Sequence, residues 1–183
     1  MLKLIIFIIV SAGISYISRA SLRFPHSHGF YRFFAWEAIL ALILLNMEHW
    51  FRNPFSMRQI VSWLLLIASL FLAAHGFRLL RVIGKPDTER REKIPMIGFE
   101  KTTTLVTVGA FKYIRHPLYS SLFFLGWGVF FKDPSWLGGV LSLAATIFLA
   151  ATAKVEETEN IHFFGPAYQM YMKRTKMFIP FLF

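Results

Sequence analysis

Long apolar runs separated by short polar punctuation dominate the chain. Five can be marked, from Leu4 to Ser18, Phe33 to Phe51, Ile60 to Phe77, Tyr113 to Phe131 and Pro134 to Ala153. Each is judged against the roughly 20 helical residues that cross a hydrocarbon core about 30 Å thick. The fifth is the cleanest, with no charge between Asp133 and Lys154. The first is the weakest. Lys3 precedes it and Ser18-Arg19-Ala20 follows, so it also has the outline of a secretory signal with a small-residue cleavage site.

Only Lys132-Asp133 separates the fourth and fifth runs, and Pro134 suits a first helical position, which predicts a tight helical hairpin. The one long polar stretch, Gly84 to Thr104, carries Lys85-Pro86-Asp87, the mixed charges Glu89 to Lys93, Pro95 and Gly98, and reads as an irregular loop. Beyond Ala153 the chain stays helix-compatible until Gly165-Pro166, where glycine can end one helix and proline open the next. Ile161, Phe164, Tyr168 and Tyr171 recur at helical spacing, the pattern of an amphipathic helix lying on a membrane. The expected fold is therefore all-α and polytopic, one integral membrane domain. Residues 1–84 hold three spans, 85–112 a loop, and 113–183 the hairpin with a helical C-terminal segment.

Composition supports this and removes other classes. The chain is 56% apolar and 16% charged, against about 45–50% and about 25% in a typical soluble domain. The mean hydropathy is +0.52, and 21 Phe are spread along the whole length, so the surplus cannot be one signal segment. A disordered tail, a fibre and a water-soluble enzyme are excluded. The absence of cysteine excludes a disulfide framework, a thiolate nucleophile and Cys-ligated zinc, and no metal is expected.

The net charge of +10 would suggest nucleic acid in a soluble protein. In a membrane protein the excess belongs to loops facing the cytoplasm and its anionic lipids, so no nucleic-acid partner is expected. With five spans, sixteen basic residues fall on the side that holds the long loop and the C-terminus, and four (Lys3, Arg52, Arg58, Lys132) on the other. The positive-inside rule then puts the long loop and the C-terminus in the cytoplasm. A cleaved signal would instead export Arg19, Arg23 and Arg32, so charge favours five spans over four.

Ionisable residues inside spans are costly and point to function by default. Glu37, one turn inside the second span, and His75 and Arg78, near the end of the third, share one depth on the cytoplasmic side; Arg78 can also snorkel to the headgroups. Glu48 and His49, beside Trp50, read as an interfacial anchor on the opposite side. The densest polar cluster is Tyr113-Ile114-Arg115-His116-Pro117-Leu118-Tyr119. Pro117 biases His116 toward extended backbone and can open a helix, whose free N–H groups would lie beside a guanidinium and an imidazole, a combination that favours an anionic group. The hairpin brings a second cluster, Glu156, Glu157 and Glu159, to the same side. A ligand with a carboxylate, an amine and a sulfonium would find partners for all three.

These residues resemble the isoprenylcysteine carboxyl methyltransferase family of integral membrane enzymes, which use S-adenosylmethionine. The resemblance runs through Thr104-Leu105-Val106-Thr107, Gly109, Phe111, Arg115-His116-Pro117, Tyr119, Glu156-Glu157, Ile161 to Gly165, Tyr168, Tyr171 and Pro180-Phe181, about the C-terminal 80 residues. Phospholipid N-methyltransferases share a looser version. The resemblance implies that Thr103, Thr104, Leu105, Val106, Phe111, His116, Pro117, Leu118, Tyr119 and Glu156 surround the cofactor, with the C-terminal segment as a lid. It also implies a lipophilic acceptor entering from the bilayer and a cofactor entering from the cytoplasm. Arg115 and Glu157 become the candidate catalytic residues, and Glu37, His75 and Thr152 the candidate acceptor contacts.

Two departures stand out. Phe111 replaces a tyrosine, and Thr152 occupies a position where the family tends to place an arginine toward the acceptor carboxylate. Lys154 is about 160° further round a helix at about 100° per residue. A sulfonium leaving group is already activated, so a carboxylate acceptor needs no base, whereas an amine would need Glu157 or His75 to take its proton. The expected activity is methyl transfer, carboxyl methylation first. Phospholipid or small-amine N-methylation and a non-enzymatic membrane carrier or assembly protein are the alternatives. The plasma membrane is favoured over the endoplasmic reticulum, and the oligomeric state stays open.

Overall fold

In apolar surroundings the backbone must satisfy its own hydrogen bonds, which leaves long apolar runs little choice but the helix. The computed structural model describes residues 1–86 and 101–180. Six helices follow in order, α1 (Leu2–Leu22), α2 (His28–Leu45), α3 (Met57–Val82), α4 (Pro117–Phe130), α5 (Trp136–Phe164) and α6 (Pro166–Arg174). Single 3₁₀ turns cover Met47–His49 and Gly109–Lys112. Among the described residues there is no strand, and four helices (α1, α2, α3 and α5) are long and apolar enough to cross a membrane.

The helix ends follow local chemistry. Ser27 caps α2, its hydroxyl accepting from the Phe30 N–H at 3.2 Å, and Ser135 caps α5 by accepting from Gly138 at 3.1 Å. The cap falls on Ser135, so Pro134 precedes the helix instead of opening it as expected. Pro117 and Pro166 do stand at first helical positions, and Gly165 ends α5 at φ +59°, a conformation open to glycine.

Boundaries also move. The second span begins five residues earlier than Phe33, at His28, and stops at Leu45, because Asn46 turns out of the helix and donates to the Val129 carbonyl at 3.0 Å. The fourth starts at Pro117 instead of Tyr113 and has 14 residues, fewer than a full crossing needs. The charge run Glu89–Lys93, Pro95, Gly98 and the terminal Phe181 lie outside the described residues.

Helix α4 sits between α3 on one side and α2 and α5 on the other. Small polar side chains join α3 to α4 as they do in membrane bundles: the Ser62 hydroxyl donates to the Gly128 carbonyl at 2.6 Å and Ser69 to Ser121 at 2.7 Å. A Cβ on Gly128 would stand 3.0 Å from the Leu66 side chain, so the glycine sets how closely the two helices approach. The core gathers Ala35, Tyr119, Leu149 and Ala153 with Met177 and Phe178 of the C-terminal segment. That segment runs alongside residues 113–116, with Arg115 N–H donating to Lys176 at 2.7 Å and Lys176 N–H to Tyr113 at 3.0 Å.

One end of the bundle is an ion-paired collar. Lys3 meets Glu48 at 2.9 Å, holding that carboxyl below its ordinary range, and Arg58 meets Asp133 at 2.9 Å. His49 lies 3.6 Å from the same aspartate. Lys132, fully buried in the α4–α5 turn, donates to Gln59 at 3.0 Å and sits 3.4 Å over the Trp63 ring; burial lowers its pKa. The candidate site lies at the other end.

Candidate functional site

At the N-terminus of α4 the helices part around a cavity of about 130 Å³. Its floor is the chain entering α4. Pro117 has no N–H to give and excludes helical backbone before it, so His116 is held at φ −124°, ψ 64°, with its ring turned inward and 5% exposed. Arg115, His116, Pro117, Leu118 and Tyr119 all line the cavity, joined by Leu105, Val106 and Phe111 from the preceding segment.

The charged groups form a chain. Arg115 Nε donates to Glu157 Oε1 at 2.5 Å, and its Nη1 donates to the Met172 carbonyl at 3.3 Å and to the Thr175 carbonyl. His116 lies between two carboxylates, Nε2 3.4 Å from Glu157 and Nδ1 4.0 Å from Glu156. Tyr119 donates its hydroxyl to Glu156 Oε2, and its ring stacks on His116 at 5.4 Å. Glu156, Asn160 and Phe164, spaced by one turn of α5, present a carboxylate, an amide and a ring to the cavity.

Tyr168 and Tyr171 of α6 close the opposite wall and are 3% and 8% exposed. The aromatic stripe expected on a membrane surface therefore faces inward. Gly165 turns the chain so that α6 folds back, and Tyr171 donates to the Phe111 carbonyl at 2.7 Å. Burial pushes both phenols well above their ordinary pKa, the more so for Tyr168 beside Glu156 and Glu157.

Of the residues singled out from the sequence, Thr103 and Thr104 are exposed and point away from the lining; Thr103 bonds the Lys85 carbonyl at 3.0 Å. Thr102 takes the place expected of them. Glu157 stands behind the lining, engaged by Arg115. His75 accepts from the Ala110 N–H at 3.3 Å and stacks on Phe71, supporting the Gly109–Lys112 turn from outside the cavity. Gly109, at φ +59°, makes room for it, since a Cβ there would sit 2.5 Å from His75 Nε2. Thr152 is fully buried with its hydroxyl bonded to the Phe148 carbonyl of its own helix. Glu37 is half-buried, does not line the cavity, and its Oε1 has no hydrogen-bond partner among the described residues.

The sequence reading missed the α2 wall. Arg32 and Trp36, one helical turn apart, line the cavity, with Arg32 Cζ 4.9 Å from the Trp36 ring. Leu80 of α3, Leu122 of α4 and Asn160 were also missed. The signal for Arg32 was its i, i+4 spacing to Trp36, hidden when the span is started at Phe33.

Comparison with curated proteins gives two groups of relatives. A methanethiol S-methyltransferase from Pseudomonas deceptionensis is 30% identical over 124 residues, 67% of this chain and 43% of that protein. Protein-S-isoprenylcysteine O-methyltransferases from Xenopus laevis and Mus musculus are each 37% identical, over 81 and 83 residues, covering 43% and 44% of this chain and 28% and 29% of theirs. The matched region covers less than half the length of these relatives. No family model matches the chain, and no solved structure does. A polytopic helical chain whose curated relatives are S- and O-methyltransferases is similar, over part of their length, to the isoprenylcysteine carboxyl methyltransferase family.

Proposed function

We propose that the cavity binds S-adenosylmethionine and that the chain transfers its methyl group to a lipophilic acceptor at the membrane. The observation that carries this is the pairing of Glu156, fixed by the Tyr119 hydroxyl, with stacked rings in one cavity. A carboxylate beside aromatic faces suits a ligand with a cationic sulfonium and an ammonium, and Phe164 and Tyr168, stacked at 6.4 Å, suit a planar base. When bound, the cofactor supplies a methyl group on an already activated leaving group.

The residues then have to bind, orient and exclude water. His116 and Tyr119 align Glu156, Arg115 locks Glu157 and the C-terminal segment over the floor, and α6 covers the opening. Neither of the two side chains considered as bases for an amine acceptor lines the cavity: Glu157 is engaged by Arg115, and His75 by the Ala110 N–H. An acceptor that attacks as an anion, a carboxylate or a thiolate, needs neither. Carboxyl methylation of a prenylated cysteine remains the first reading, and the relatives named for methanethiol favour a thiol as the second. A base-labile product marks the ester and a base-stable one the thioether. The excess of basic residues at this end of the chain supports a cytoplasmic site, in a plasma membrane.

The test is calorimetric titration of S-adenosylhomocysteine into detergent-purified protein. The expected result is micromolar binding, about −8 kcal/mol, weakened by His116→Ala. A folded wild-type sample that binds nothing, in detergent and again in lipid, overturns the proposal.

A further inference from the structure

The cavity has two guanidinium groups, and the structure gives them different work. Arg115 spends its donors on Glu157 and on the Met172 and Thr175 carbonyls, so it ties α4, α5 and the C-terminal segment together. Arg32 comes from the facing helix. It is 3% exposed, lines the cavity, and lies against the Trp36 ring, which lines it too. A guanidinium buried at the level of membrane helices is expensive, and such groups mark binding sites.

The turn that carries Arg32 is fastened on three sides. Ser27 caps it. Gly29 lets α1 touch it: a Cβ there would fall 2.3 Å from Ser21 Oγ, and Arg32 Nη2 lies 3.5 Å from the same point. His28, buried, meets Glu159 of α5 at 2.6 Å. The fork is therefore presented by a fixed piece of backbone, with little ordering left to a ligand.

We infer that Arg32 is the carboxylate-binding residue of the cavity, an inference that rests on the methyl-donor reading above. Glu156 stands on α5 and Arg32 on α2, so a ligand with a cationic and an anionic end is matched at both. The planar fork suits a carboxylate taken by two N–H groups. Glu156 and Glu157 nearby make a singly charged carboxylate a better fit than a phosphate dianion. The carboxylate can come from the amino-acid end of the methyl donor or from a lipophilic acceptor.

Binding to purified wild type, Arg32→Gln and Arg32→Lys separates the sources. The probes are S-adenosylhomocysteine, 5′-methylthioadenosine, which lacks the amino-acid end, and N-acetyl-S-farnesylcysteine with its neutral methyl ester. Arg32→Gln is expected to lose about tenfold or more in affinity for the acid of one pair, with its neutral counterpart changed less than about twofold and Arg32→Lys falling between. Loss on S-adenosylhomocysteine identifies the donor, and loss on the farnesylcysteine acid identifies the acceptor. If the glutamine variant does not fold, Arg32→Lys, which keeps charge and stem, carries the same acid-against-neutral comparison. Equal affinities across wild type and variants overturn the inference while leaving the donor reading intact; wild type that binds none of the four probes overturns both.

Discussion

Replacing Arg115 by methionine tests whether its charge serves the fold or a ligand. The Arg115 and Glu157 side chains are 11% and 9% exposed and meet at 2.5 Å. Removing the cation leaves a buried carboxylate whose nearest partner is His116 at 3.4 Å, and it also strips a donor from two carbonyls that anchor the end of α6 and the segment after it. Breaking a buried ion pair from one side costs about 3–5 kcal/mol. For a chain of this size each kcal/mol moves Tm by about 2–4 °C, so Arg115→Met should lower it by about 6–20 °C. Glu157→Gln, which keeps an acceptor, should cost about 1–3 kcal/mol. The double variant Arg115→Met/Glu157→Gln removes the stranded charge and should be less destabilised than the two losses added together by about 2 kcal/mol or more. Thermal unfolding in detergent, followed by tryptophan fluorescence, reads all three. Strict additivity, or an Arg115→Met protein with wild-type Tm and no affinity for S-adenosylhomocysteine, would show that the guanidinium serves a ligand and refute the reasoning.

Gly109→Ala forces a side chain into left-handed backbone at a cost of about 1–2 kcal/mol and drives its Cβ against His75; since Phe111 of the cavity lining lies two residues on in the same turn, weaker S-adenosylhomocysteine binding should accompany the lower Tm. Thr152→Val removes a hydroxyl that bonds only its own helix in a position sealed from the cavity, so Tm should move by no more than about 2–4 °C, the equivalent of about 1 kcal/mol, and calorimetry should find cofactor-product affinity unchanged. Tyr168 and Tyr171 have raised folded pKa values. Their stabilising contribution is complete below the unfolded value near 10 and is lost as pH rises above it, because the unfolded chain ionises first. Absorbance at high pH should therefore show the fraction belonging to two of the six tyrosines appearing only as the protein unfolds.

What could be read without coordinates was whatever local chemistry decides. Pro117, Gly165 and Pro166 set helix ends through their own backbone, and the line from Arg115 to Tyr119 enters one cavity because it is contiguous. Glu156 joins it because the short α4–α5 turn forces the two helices together. Thr103 and Thr104 escaped because the chain bends at both residues, and nothing local distinguishes Thr102 from its neighbours. Arg32 escaped for a different reason. It is separated from Glu156 by more than a hundred residues, and a lone arginine at a helix start reads as an interfacial cation until the α2–α5 contact is known. The assignment of Arg115 to chemistry missed its partners for the same reason, since Met172 and Thr175 offer carbonyls, which every residue has.

The shortness of α4 has a consequence for which molecules can be served. Its 14 residues, at about 1.5 Å each, rise roughly 21 Å, some 9 Å short of a hydrocarbon layer about 30 Å thick. Helix α5, with 29 residues, runs past it. The irregular chain at His116 is thus sunk below the level at which its neighbours leave the bilayer, a place where non-helical backbone survives only against protein or a watered recess. Under the methyl-transfer function proposed above, an acceptor would not have to be lifted out of the lipid to be reached. It would be measured by depth: molecules whose reactive atom rides just beneath the headgroups would meet the recess, while those whose reactive atom floats above the surface or is buried at the midplane would pass by it.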